Sequence, residues 1–347
     1  MQRMQRLACR QHPGARCTAD GTAELQALEA GFDELCDRLA LHESEGQTMI
    51  RGQIALRSMG FESIPIFNIE NACASASSAF NLAVQYVRSG AGEIALAIGA
   101  EKMFCADKAK MFSVFDGAWD VATVEENKRR LLQMGHGIEP PEGSMSKAPY
   151  SLFMDIYAAF ARFHMREFGT TQRQIAAVSA KNHGHSVHNP LAQYRNAYTM
   201  EEVLAAPPIT YPLTLPMCAP ISDGAAAVVV CSEAALARLA NRGRAIKVLA
   251  SVIATGSNRR PEDLAQHITV KAAKQAYELA GVGPQDISLA EVHDATAIGE
   301  IVGGVIVPAI EGVLSDKIDP SAFLWVSAAL AILGLFFVMK LTETLKK

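Results

Sequence analysis

The sequence lacks the marks of several large protein classes. It has no C-x-x-C pair, and its seven cysteines, at positions 9, 17, 36, 73, 105, 218 and 231, are sparse and odd in number. Neither a disulfide framework nor a zinc site is indicated. It has no long basic block, and 32 Lys and Arg against 36 Asp and Glu leave a net charge of -4. Contact with a phosphate backbone needs clustered cations, so the composition argues against a nucleic-acid partner. Residues 1 to 17 carry Arg3, Arg6, Arg10 and Arg16 without an acid but lack the apolar run of a secretory signal, leaving a disordered start or a transit peptide. What is abundant is apolar: 50% of the 347 residues are hydrophobic and only 20% charged, which excludes wholesale disorder. The length allows about two domains of roughly 100 to 200 residues. A mean hydropathy of +0.12 is high for such a chain, so apolar residues are concentrated somewhere.

They are concentrated near the C-terminus. Residues 320–339 read PSAFLWVSAALAILGLFFVM without a charge, between Asp319 and Lys340. As a helix this run covers roughly 30 Å, the hydrocarbon thickness of a bilayer, and is expected to be a transmembrane helix. The competing reading is a buried core helix, because Ser327 and several alanines dilute the run. Lys340, Lys346 and Lys347 place the C-terminus in the cytoplasm. Residues 301–310 are too few to span alone. Near the other end, Leu25, Leu28, Phe32, Leu35 and Leu39 follow spacings of 3, 4, 3 and 4, the pattern of an amphipathic helix.

Between about Gln47 and Glu300 the signals alternate as in α/β proteins. Strands are expected at 65–69, 93–99, 224–231 and 245–254, and at 287–293 ending in His293-Asp294. The runs at 65–69, 93–99 and 224–231 look buried, the second as a central strand covered on both faces. Helices are expected at about 74–89, stopped by Gly90; at 151–168, ended by Gly169; from the N-cap Thr171 to about 182; after Cys231; and at 268–280. Residues 107–150 lack a clear period and read as an inserted loop region of the kind that serves a binding site. A charged turn, Asn241-Arg242-Gly243-Arg244, marks a domain boundary.

Cys73 is the first candidate for chemistry. It lies between an expected strand and a helix that begins with small residues, Ala74-Ser75-Ala76-Ser77-Ser78-Ala79. A thiol at a helix N-terminus meets the positive end of the macrodipole, which favours the thiolate. On position alone, a small buried cysteine at a strand-helix junction is the more natural reading.

Asn71-Ala72-Cys73-Ala74-Ser75, with the run SSAFNLAVQYVRSGAGEIALAIGAEKM that follows, resembles the nucleophilic-cysteine region of thiolases, particularly the branch near sterol carrier protein x and the acetyl-CoA acetyltransferases. The resemblance extends through KNHGHSVHNP at 181–190, Pro220-Ile221-Ser222-Asp223-Gly224 and Glu291-Val292-His293-Asp294-Ala295, over about residues 47–300. It implies an α/β, thiolase-like layered αβαβα fold and a dimer that exchanges acyl groups between coenzyme A thiols and carbon nucleophiles. It implies Cys73 as nucleophile and His293, in a His-Asp-Ala-Phe type motif whose fourth residue here is Thr296, as part of an oxyanion site. Acyl-CoA is then a substrate, with no resident cofactor and no metal. His183, His185 and His188 have no carboxylate cluster beside them, Cys218 reads as a loop or core thiol, and Ser222-Asp223-Gly224 reads as a structural turn.

The resemblance also implies a Gly-His-Pro histidine that activates the nucleophile and a later Cys-x-Gly loop. The sequence contains no Gly-His-Pro and no cysteine after Cys231. The expectation is a fold truncated in its C-terminal half, with impaired acyl transfer. The residues after Glu300 resemble, mostly in composition, the final helices of a major-facilitator transporter. The expected layout is an unrelated or disordered start at 1–45 with an amphipathic helix, a thiolase N-terminal-type domain at 46–243, a partial C-terminal-type domain at 244–300, and a hydrophobic tail at 301–347. The alternatives are a noncatalytic membrane-tethered acyl-CoA or lipid-binding protein, and a fused reading frame. The α/β body is expected in the cytoplasm, membrane-associated through 320–339 or free if that helix is not inserted.

Overall fold

The apolar residues Ala76, Ala79, Phe80, Ala83, Val84 and Val87 recur at spacings of three and four, so one stripe of a helix over this stretch must be buried. In the structure, a computed structural model, that helix runs from Ser75 to Arg88. The structure describes residues 49–301 apart from 59, 102, 105, 191, 240, 241, 243, 244, 261, 262 and 289. In chain order the first elements are α1 (Arg51–Ser58), α2 (Ser75–Arg88), β1 (Ile94–Glu101), α3 (Lys108–Ser113) and α4 (Val124–Gln133). There follow α5 (Leu152–Phe168), α6 (Gln172–Ser186), α7 (Met200–Ala205), β2 (Pro208–Thr210) and β3 (Leu213–Thr214). The last are β4 (Gly224–Cys231), α8 (Glu233–Leu236) and α9 (Ile268–Ala280). The described residues divide into two compact units, one of residues 49–111 and 221–253, the other of 112–220 and 254–301.

In the first unit β1 pairs antiparallel with β4, in register from Ile94 opposite Cys231 to Glu101 opposite Gly224. Ala83 and Val84 of α2 pack with Ala97 of β1 and Val230 of β4, and Ala79, Phe80, Val87, Ala95 and Val248 close around them. A Cβ on Gly99 would stand 2.8 Å from the Cβ of Ala76, so only glycine lets the first turn of α2 lie so close to the strand. The chain then returns beside α2: Asn81 Nδ2 donates to Ser251 O at 2.9 Å and Arg88 to Leu249 O at 3.1 Å.

The second unit is mainly helical. Ser151 caps α5 by accepting from Phe153 N, and Gly169 ends it at φ 69. Capping boxes start α6 (Thr171 with Gln174) and α7 (Thr199 with Glu202). Ala158, Ala161, Ile175, Ala176, Val203, Leu213, Met217, Ala297 and Ile298 form its core.

The result is an α/β fold of helices with two two-stranded sheets among the described residues, a smaller sheet content than the layered expectation. Residues 65–69, 245–254 and 287–293 form no strand there, and 65–69 is largely exposed. An apolar run becomes a strand only where a neighbour satisfies its backbone groups. Asn68 is instead tied to α1, and 245–254 meets α2 through side-chain bonds. The strand β4 forms as expected, yet its first six residues are exposed rather than buried. The helix expected after Cys231 is a single turn, and the region 107–150 holds α3 and α4 rather than loop alone. The expected helix at 320–339, the amphipathic segment at 25–39 and the transporter-like tail lie outside the described residues. Among those described, no helix is long and apolar enough to cross a membrane.

Candidate active site

Cys73 sits in the middle of a single 3-10 turn, Ala72–Ala74, that leads directly into α2. Its side chain is exposed. Ala72, immediately before it, adopts φ 45, a left-handed conformation that costs a residue with a Cβ about 1 to 2 kcal/mol. Side chains on both sides hold this turn. Ala72 N donates to Glu70 Oε1 at 2.6 Å and Asn71 N to Ser75 Oγ at 2.8 Å. Ser75 Oγ donates in turn to Ala72 O at 2.8 Å, and Asn71 Nδ2 donates to Ser78 Oγ at 2.9 Å. The fourteen-residue helix begins directly behind Cys73, so the positive end of its dipole faces the turn, a setting suited to developing negative charge.

His293 belongs to the other compact unit, so the structure describes the two sequence candidates in separate bodies. Its ring is exposed, with Nε2 at 3.4 Å from Tyr157 Oη of α5. At that distance the tyrosine orients the ring only weakly. Backbone pairing fixes the chain just after it: Ala219 N donates to Ala295 O at 3.0 Å, and Cys218 bridges Thr296. Thr296 is fully buried and its hydroxyl has no partner. One helical turn on, Glu300 forms an ion pair with Lys181 and accepts from Asn182 Nδ2 at 2.9 Å. Glu300, four residues beyond EVHDAT, thus ties the KNHGHSVHNP helix to the segment that carries His293 within one unit.

The remaining sequence candidates have structural partners. His183 Nε2 contacts Pro216 O at 3.1 Å while its ring meets Tyr198 edge-on. Among the described residues there is no group of three His, Cys, Asp or Glu suited to a metal. Burial pushes the Cys218 thiol up to about 12, so it is protonated at neutral pH and is no nucleophile. Asp223 accepts from Met103 N at 2.9 Å and Phe104 N at 2.8 Å, so the Ser-Asp-Gly turn holds the segment after β1. An open depression lined by Gln53, Arg57, Phe61, Ile64 and Ile66 does not include Cys73. Sequence reading missed Asn71, Ser75 and Ser78 as a group, because Asn71 stands outside the helix that carries the two serines. It also missed Tyr157, for which the sequence carries no signal.

A family model described as the thiolase N-terminal domain matches residues 32–201, and one described as thiolase C-terminal domain-like matches 250–304. The chain belongs to the thiolase family. The match begins at residue 32, ahead of the Gln47 at which the motifs become legible. Benzoylsuccinyl-CoA thiolase subunit BbsB of Thauera aromatica is 33% identical over 257 residues, 73% of this chain and 60% of the relative. Human sterol carrier protein 2 is 32% identical over 80% of this chain and 50% of the relative. The acetyl-CoA acetyltransferase of Methanothermobacter thermautotrophicus is 34% identical over 70% and 57%. This thiolase-family chain thus spans about half to three fifths of the length of these relatives. Among solved structures, the Ltp2-ChsH2(DUF35) aldolase is similar at 20% identity and a TM-score of 0.49, over 75% of this chain and 64% of that one.

Proposed function

We propose that the protein is an acyl-CoA acyltransferase of thiolase type, with Cys73 as nucleophile and His293 as a donor to the carbonyl oxygen. The observation that carries this reading is the exposed Cys73 side chain on a strained, hydrogen-bonded turn at the start of α2. In the first stage the Cys73 thiolate attacks the thioester carbonyl carbon, and the carbonyl electron pair moves onto oxygen. Collapse of this intermediate breaks the bond to coenzyme A, whose thiolate takes up the proton given by Cys73. In the second stage a carbanion from another acyl-CoA, or the thiolate of coenzyme A, attacks acyl-Cys73 and releases the thiol. An oxyanion forms in each stage and calls for positioned N-H donors, the role this proposal gives to His293 on its motif. The thioester supplies the activation, so the reaction needs neither metal nor resident cofactor. A homodimer belongs to the same proposal.

Incubation with acetyl-CoA followed by acid quench and peptide mass mapping tests the first stage alone. One acetyl group on the Cys73 peptide, absent from Cys73→Ala, is expected; no acyl group there, or equal labelling of the variant, rejects the nucleophile. The similarity to sterol carrier protein 2, and to the non-specific lipid-transfer protein-like 2 of Caenorhabditis elegans, favours a second reading, a noncatalytic acyl-CoA or lipid carrier. In that case Cys73→Ala binds acyl-CoA as the native chain does, and neither chain becomes acylated.

A further inference from the structure

The turn before α2 must do more than expose a thiol, because acyl transfer requires Sγ to approach one carbonyl carbon along one direction. Near-attack geometry is narrow, and a displacement of about 1 Å costs up to about a hundredfold in rate. A left-handed Ala72 is an unstable foundation for that geometry unless the chain on either side is fixed. The bond from Ala72 N to Glu70 and the two made by Ser75 lie at exposed positions, where water competes for the same groups. The bond from Asn71 Nδ2 to Ser78 Oγ differs. Ser78 is 8% exposed, lies in the first turns of α2, and stands one residue from Ala79, which packs on the first unit's core. It fastens the residue preceding the strained turn to the body of the helix.

We infer that Asn71, acting through Ser78, is the positioning residue of the nucleophile: it fixes where Cys73 Sγ points and touches no substrate itself. This inference rests on the acyl-transfer reading and adds to it a residue whose role is geometric. Alkylation by iodoacetamide, a small reagent that approaches an exposed thiol from many directions, places little demand on that geometry. Acylation by a bound acyl-CoA places a strict one.

The test compares the two reactions on the full chain by mass spectrometry of the Cys73 peptide. In Asn71→Ala, and equally in Ser78→Ala, the acylation rate at saturating acetyl-CoA is expected to fall about ten- to a hundredfold. The acetyl-CoA concentration giving half the maximal rate stays constant, and alkylation stays within about twofold. The double variant loses no more than either single one, since both remove one link. Ser78→Thr, which keeps the hydroxyl, recovers most of the acylation. Acylation of Asn71→Ala at the native rate, while native acylation itself is normal, overturns this inference alone. Parallel loss of acylation and alkylation also overturns it, because the residue then merely holds the fold. A native chain that takes up no acyl group overturns the acyl-transfer reading and this inference together.

Discussion

At the residue scale, titration and burial separate groups that a sequence reading treats alike. His164 is only 7% exposed, its Nδ1 lies 2.7 Å from Thr170 Oγ1, and its Nε2 has no partner. Desolvation lowers its pKa from 6.5 to about 4. Between those values the unfolded chain binds a proton that the folded chain refuses, so acid favours unfolding. The stability His164 supports is complete above pH 6.5 and declines as pH falls toward 4, by roughly 3 kcal/mol in all. Urea denaturation at pH 7 and pH 4.5 is expected to show a smaller difference in His164→Gln than in the native chain. Equal differences would remove His164 as a source of acid sensitivity. None of this was legible beforehand, since a histidine on a helix shows its periodic position but not whether its second nitrogen finds a partner. Cys73 was legible for the opposite reason: its setting is local, spelled by five consecutive residues and the small-residue helix after them.

Elements with a local cause were also legible. The helix before Gly90, the N-cap Thr171 and the stop at Gly169 all appear where local composition and capping chemistry put them. Strands were legible only in part: 93–99 and 224–231 form as β1 and β4, but 65–69, 245–254 and 287–293 form none, because a strand depends on a partner that can be far away; β1 finds its neighbour more than a hundred residues on, in β4. The contact of β1 with α2 was likewise invisible, as it turns on the absence of a single Cβ. Gly99→Ala puts that atom 2.8 Å from Ala76 Cβ, nearer than real Cβ atoms approach, so helix and strand must separate. A loss of about 1 to 3 kcal/mol is expected on denaturation. Adding Ala76→Gly should restore part of it, although glycine in a helix by itself costs about 1 kcal/mol. If the two losses simply add, the close approach does not limit this packing.

For the whole molecule, the motifs were read one by one, whereas the compact units interleave the chain: residues 221–253 join 49–111, and 254–301 join 112–220. The motif around Cys73 and the motif around His293 thus fall in different units, each with its own core. This division bears on the two stages of acyl transfer unequally. In the proposed reaction, attack by Cys73 on a thioester would draw on the turn and helix of the first unit, together with a donor for the oxyanion. Release of the acyl group needs in addition a base to generate the incoming nucleophile, and general-base catalysis contributes about a hundred- to ten-thousandfold. The 347-residue chain contains no Gly-His-Pro histidine and no cysteine beyond Cys231, and Cys218 is held protonated by burial. Acylation of Cys73 by acetyl-CoA is therefore expected to outpace transfer to a second acceptor, so that acyl-enzyme accumulates. Quenched-flow sampling should record a burst of free coenzyme A close to one per chain, then a steady phase at least about a hundredfold slower. Acetoacetyl-CoA cleavage by added coenzyme A should be limited by that same slow phase. Linear release without a burst, at the rate of the first stage, would mean that other groups of this chain carry out the second stage.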